Sequence, residues 1–146
     1  MTSRRHSIPS LTQLEPYLCC TFCAVAMWLD NNLITGGIPT EIGALTILAS
    51  ISITNATLTG TIPTEMGKLT NLRRLWLYQN DLKGSIPTQL AKLTGLEVFE
   101  IQNNSKLTGT VPAEICASVK ASTFVDKSLT ATCSNVDCAN CCTVCA

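Results

Sequence analysis

Four stretches of this chain superimpose on one another: ITGGIPTEIGALTIL, LTGTIPTEMGKLTNL, LKGSIPTQLAKLTGL and LTGTVPAEIC. They place Pro39, Pro63, Pro87 and Pro112 at spacings of 24, 24 and 25 residues. A second shared element precedes each of them, MWLDNNLI, ISITNATL, LWLYQNDL and FEIQNNSKL. Units of this length cannot bury an apolar face alone, so the period demands a stack in which each unit covers the next.

Each position of the unit has a physical reading. The L-x-L pattern alternates as a strand does, turning Leu75 and Leu77 inward and Arg74, Trp76 and Tyr78 outward. Asn32, Asn80 and Asn104 follow the strand, where a short amide can pair with turn backbone that would otherwise be buried without a partner. The second unit has Ala56 at that place and is predicted to lack the rung. Gly36, Gly60, Gly84 and Gly109 permit a turn conformation costly to other residues, and the apolar-Pro pair after them sets an extended segment before a short helical turn. The fourth unit carries one extra residue near Ser105 and Lys106, which predicts a bulge at the turn.

The full unit, L-x-x-L-x-L-x-x-N-x-L-x-G-x-I-P, resembles the leucine-rich repeat of the plant-specific type over residues 27–116. It is similar to the repeats of receptor-like kinase ectodomains and polygalacturonase-inhibiting proteins, and the cysteine-rich end resembles short leucine-rich proteins of diatoms and related protists. The resemblance implies an α/β repeat fold: a right-handed solenoid with parallel strands on the concave side and short helical turns, 3-10 or irregular segments on the convex side. It also implies a non-enzymatic module that binds a protein, peptide or glycan ligand, extracellular or at the cell surface. The alternative is a structural or scaffold piece, self-association included, or a fragment of a longer receptor-like protein. The chain then divides into an irregular or degenerate segment, 1–26, four repeats, 27–116, and a cysteine-rich C-terminal cap, 117–146.

The first segment departs from the resemblance, because it shows no recognisable N-terminal cap with paired cysteines. Skipping PYLCCTFCAV, Pro16 to Val25, joins LTQLE to AMWLDNN in line with LTNLRRLWLYQN. SIPSLTQLE then reads as the tail of a shortened earlier repeat, with Cys19, Cys20 and Cys23 inside an insertion. MTSRRH and the apolar residues before Ala26 imitate a secretory signal, but Pro9, Glu15 and Pro16 interrupt the pattern. The apolar stretch from Tyr17 to Leu29 is too short to span a bilayer as a helix, so membrane insertion is not expected.

At the other end, Cys116, Cys133, Cys138, Cys141, Cys142 and Cys145 form an even set. A solenoid's last repeat leaves its apolar end and strand edge open, and the tail that follows is too poor in large apolar residues to hold itself. A disulfide-tied cap in an oxidising compartment is the favoured reading, with Phe124 and Val125 of STFVD sealing the last coil. Zinc and redox chemistry are the alternatives. The two C-x-x-C pairs adjoin without the loop that structural zinc pairs enclose, and the tail has no βαβ setting for a redox motif.

The outward strand positions carry the functional expectation. Trp28, Asp30, Thr54, Arg74, Trp76, Tyr78, Glu100 and Gln102 fall in columns across the stack, with both tryptophans of the chain in one column. Trp, Tyr and Arg are the side chains most enriched at binding hot spots, and the core does not need them here. Four strands offer about a dozen side chains against the 20 to 30 of a standard interface, which suits a small or extended ligand, weak binding, or an oligomer. Two sequons, at Asn55 and Asn103, are candidate glycosylation sites. Ten Lys plus Arg balance ten Asp plus Glu, leaving no basic face for nucleic acid. The single histidine, His6, lies in the irregular start, no hydrolase or nucleotide-binding motif occurs, and neither metal nor cofactor is expected. Threonines recurring at Thr40, Thr64 and Thr88, and at Thr59 and Thr108, raise ice binding as a third class, although turn chemistry favours threonine there anyway.

Overall fold

A computed structural model describes residues 26–121, 128–131, 136–137 and 144–145. Each coil opens with a three-residue strand: β1 (Ala26–Trp28), β3 (Ser50–Ser52), β5 (Arg74–Trp76) and β7 (Val98–Glu100). A second short strand follows the turn: β2 (Thr35–Gly36), β4 (Thr57–Leu58), β6 (Lys83–Ser85) and β8 (Lys106–Thr110). The first three coils close through 3-10 turns at Thr40–Ala44, Thr64–Lys68 and Thr88–Lys92, and the fourth through a helix, α1 (Ala113–Ala121). Strands β9 (Ser128–Ala131), β10 (Val136–Asp137) and β11 (Val144–Cys145) complete the described elements.

The main sheet has the order β1-β3-β5-β7-β9-β11, with every pairing parallel. This is the parallel-strand architecture the repeat predicts, with short 3-10 segments closing the coils. Between the strand face and those turns lies one continuous core. Ile51, Leu75 and Phe99 from the strands, Leu58, Leu82 and Leu107 after the turn, and Met66, Leu90 and Ile115 from the closing segments are all essentially inaccessible. The predicted alternation holds, since Leu75 and Leu77 are buried while Arg74, Trp76 and Tyr78 retain exposure.

Asn80 and Asn104 do what a short amide at that position can do. The Asn80 Oδ1 accepts from the Leu58 N–H at 3.1 Å, and its Nδ2 donates to the carbonyls of Ile53 at 2.8 Å and Leu77 at 3.1 Å. Asn104 repeats the pattern one coil on, with Leu82, Leu77 and Ile101. Asn32, in the first described coil, donates locally to the Asp30 carbonyl. The residue before each rung, Asn31, Asn55, Gln79 or Asn103, adopts a left-handed backbone at φ between 48° and 58°, and the expected glycines follow at φ between 76° and 90°. The extra residue of the fourth repeat is absorbed between these two points, where the Leu107 N–H donates to the Asn104 carbonyl at 3.0 Å. The second strands pair in two small sheets, β2 with β4 and β6 with β8, and the pairing of Gly84 with Leu107 matches that of Gly36 with Leu58, so the bulge leaves this register unchanged.

The closing turns pack backbone to backbone. A Cβ on Gly43 would lie 2.7 Å from the Glu65 carbonyl oxygen, and one on Gly67 would collide with that of Gln89. The third repeat has Ala91 in place of this glycine, and its neighbour is the helix α1 instead of another 3-10 turn.

Past α1 the repeat spacing is lost but the sheet is not. Strand β9 pairs Leu129 with Phe99, so the strand continuing the face is SLTA; the predicted STFVD, with Phe124 and Val125, lies outside the described residues. Cys116 sits on α1, half-buried and disulfide-bonded, and Cys145 lies in β11. Cys133, Cys138, Cys141 and Cys142, like Cys19, Cys20 and Cys23, fall outside the described residues.

Restoring the missing rung tests the role of the asparagines. Ala56→Asn should raise stability by about 1–2 kcal/mol, because its amide would reach the backbone of Ile34 and Ile53 as Asn80 reaches Leu58 and Leu77. Asn80→Ala, which strands buried backbone groups, should cost roughly 2–4 kcal/mol. Urea denaturation midpoints at constant slope check both.

Candidate functional site

Register places Trp28, Ser52, Trp76 and Glu100 side by side on β1, β3, β5 and β7. Two strand intervals separate the tryptophans, about 9.6 Å at the backbone. Their rings nevertheless meet, with centroids 5.5 Å apart and planes inclined at 32°. The residue between them is Ser52, a small hydroxyl side chain over which two indoles can lean, flanked along its strand by Ser50 and Thr54. Ser52 is only 4% exposed, Trp76 is half-buried, and Trp28 keeps 60% of its surface. A tilted aromatic pair of this kind is worth about 0.5–1.5 kcal/mol beyond its buried area.

Beside this pair sits a carboxylate pinned by the neighbouring coil. The Asp30 Oδ1 accepts from the Ser52 hydroxyl at 2.6 Å, the Thr54 N–H at 2.9 Å and the Thr54 hydroxyl at 2.7 Å. Asp30 is half-buried, and three donors on one oxygen fix its orientation. Thr54 is 4% exposed with its hydroxyl committed to Asp30, so it supports the site from below rather than lining it. Arg74, Tyr78, Glu100 and Gln102 are half-buried on the same face. Asn55 and Asn103 are exposed at its rim in left-handed turns, and the Asn55 Nδ2 donates to the Asn31 Oδ1 at 2.7 Å.

Sequence reasoning brought the tryptophans into one column but missed that they touch, and missed Ser52 as the small residue between them. The signal was present: the one repeat with three consecutive small hydroxyls on its outward positions lies between the two that carry tryptophan. Among the described residues no group of three or more His, Cys, Asp or Glu is placed to hold a metal ion. No helix among them is long and apolar enough to cross a membrane.

The family model for the leucine-rich repeat matches residues 71–93. No curated protein sequence matches the chain. Among solved structures, the Arabidopsis receptor kinase HAESA, in complex with the peptide hormone IDA and the co-receptor SERK1, is 32% identical. The match has a TM-score of 0.57 and covers 62% of this chain and 15% of that one. The ectodomain of BIR2 from Arabidopsis thaliana is 27% identical at a TM-score of 0.66, over 86% of this chain and 64% of that one. A plant ice-binding protein is 35% identical at a TM-score of 0.56, over 62% of this chain and 29% of that one. The chain therefore spans less than two thirds of each of these proteins.

The indole contact should be visible in solution. Wild-type protein should show an exciton couplet in far-ultraviolet circular dichroism that disappears in Trp28→Leu and in Trp76→Leu alike. A couplet surviving either change would separate the rings. Asp30→Ala, which deprives three donors of their acceptor, should lower stability by roughly 1–3 kcal/mol in thermal denaturation.

Proposed function

The chain is a leucine-rich-repeat protein of plant type that resembles receptor-kinase ectodomains, and from that premise we propose that it is a non-enzymatic extracellular module. It recognises a protein or peptide ligand through the face of its main sheet. The observation that carries the reading is the Trp28–Trp76 pair, standing with Tyr78 and a pinned Asp30 on a surface the core does not require. Large aromatic side chains held rigid before a ligand arrives bind at low entropic cost. The peptide hormone and co-receptor in the HAESA complex support this kind of partner, and the receptor ectodomains support placement outside the cell. A disulfide at Cys116 suits the same compartment.

The ice-binding relative makes a second reading concrete, and the side chains beyond the main sheet argue against it. Lys83 of β6 stands opposite Lys106 of β8, and Thr40 and Thr64 turn their hydroxyls onto Glu41 and Glu65. Long charged side chains interrupt the flat hydroxyl array that a crystalline water surface requires. Thermal hysteresis should therefore be absent in an osmometer with single ice crystals, and a sustained, concentration-dependent hysteresis would transfer function to the threonine rows.

The concave-face reading is tested by recovering the partner from the native source by crosslinking and measuring its affinity for purified protein. Trp76→Ala combined with Tyr78→Ala should weaken binding by about tenfold or more, as expected when two hot-spot residues are truncated. Unchanged affinity would remove this face from consideration. Light scattering on the eluting protein separates a monomeric module from a scaffold that works only when assembled.

A further inference from the structure

The charges on the strand face are placed unevenly, and their placement narrows the ligand. Asp30 and Glu100 stand at opposite ends of the aromatic patch, on the first and fourth coils, with Trp28, Trp76 and Tyr78 between them. Arg74, the one cation among the outward positions of these four strands, lies in a different column, level with Ala26, Ser50 and Val98. We infer that the face accepts an extended peptide segment crossing the strands and carrying two cationic side chains, arginine by preference, four to five residues apart. The inference rests on the concave-face reading and deepens it.

Three features converge on this class. The exposed indole of Trp28 offers a π surface, to which guanidinium and ammonium groups are attracted electrostatically. Asp30 lies two residues further along the same strand direction, on the same side, so a cation resting on the ring meets a carboxylate as well. That carboxylate is already oriented: its Oδ1 takes the bonds from Ser52 and Thr54, which are internal to the protein, so no ordering cost is added when a ligand arrives. Arginine suits the site better than lysine because its planar fork can stack on an indole and pair with a carboxylate together.

Spacing follows from the sheet. Three strand intervals across and one two-residue step along separate the Asp30 and Glu100 backbones by about 16 Å. An extended peptide gains about 3.3–3.6 Å per residue, so cations four to five residues apart reach both carboxylates. Both carboxylates lie in the columns of the tryptophans and Tyr78, which sets the path across those columns. Interfaces of this size are small, which matches a short linear segment better than a folded partner.

A randomised peptide library displayed on phage and selected on the immobilised full chain tests this. The expected result is enrichment of peptides with Arg or Lys four or five positions apart. Their affinity should fall about tenfold in Asp30→Asn and again in Glu100→Gln, and weaken with added salt. Asp30→Asn keeps an oxygen acceptor for the Ser52 and Thr54 donors, so its effect reads charge rather than folding, and an unchanged denaturation midpoint checks this. Enrichment of acidic or uncharged peptides that require Trp76 and Tyr78 would overturn the dibasic class and leave the face reading standing. Basic peptides at other spacings, or insensitive to both carboxylate changes, would overturn it too. A selection indistinguishable from one on the Trp76→Ala, Tyr78→Ala variant would sink both.

Discussion

From β1 to β7, each described coil is tied to the next by amide groups that bond across the junction between them. Backbone pairing along the main sheet supplies most of these ties, running past the strands themselves to bonds such as Leu77 N–H to the Glu100 carbonyl at 2.8 Å. The asparagine rungs add the constraint on length. Asn80 reaches back 22 residues to an N–H and 27 residues to a carbonyl, holding the backbone on both sides of the preceding turn in one side chain. A coil one residue longer between those points would break one bond to keep the other. The fourth repeat can carry its extra residue because the insertion follows Asn104, after the rung has closed.

Fixed coil length in turn produces the candidate site. Strand partners sit 24 residues apart from β1 through β7, so an outward side chain in one coil always has the same neighbour in the next. Two tryptophans at equivalent positions of the first and third coils then share a column without any local sequence signal linking them. The glycines at Gly43 and Gly67 help hold that spacing from the far side, where the closing turns come into direct backbone contact. Strand face and turn face are thus set by one repeat distance, and a change that opens one must strain the other.

Much of this was legible from the period alone. L-x-L fixed which residues are inside, and the rung positions fixed which amides are structural. Glycine and proline offsets located the turns. What stayed hidden has a common physical cause: it depends on what two adjacent coils do together at one point. The indoles meet across the small Ser52, and Thr54 is buried with its hydroxyl bonded to Asp30. Gly43 and Gly67 look like loose loop residues until the next turn is stacked on them. The tail was hidden for a related reason. Its continuation of the sheet through SLTA rests on pairing with β7 across a segment whose length no longer follows the repeat, so counting could not find it.

The site is consequently a property of the stack and not of any repeat. Its carboxylate comes from the first coil, the donors that orient it from the second, its second indole and tyrosine from the third, and its far carboxylate from the fourth. Under the proposed reading, a ligand spanning these columns adds contacts across every junction from β1 to β7, and only the folded stack presents them together, so such binding would stabilise the stack by mass action. In a solenoid, where stability is a sum of repeat terms and nearest-neighbour interfaces, such a ligand acts as an extra interface shared by all four units. The junction that has Ala56 in place of a rung is the one that Asp30, Ser52 and Thr54 already bridge on the strand face, so it is the junction with most to gain from such a ligand.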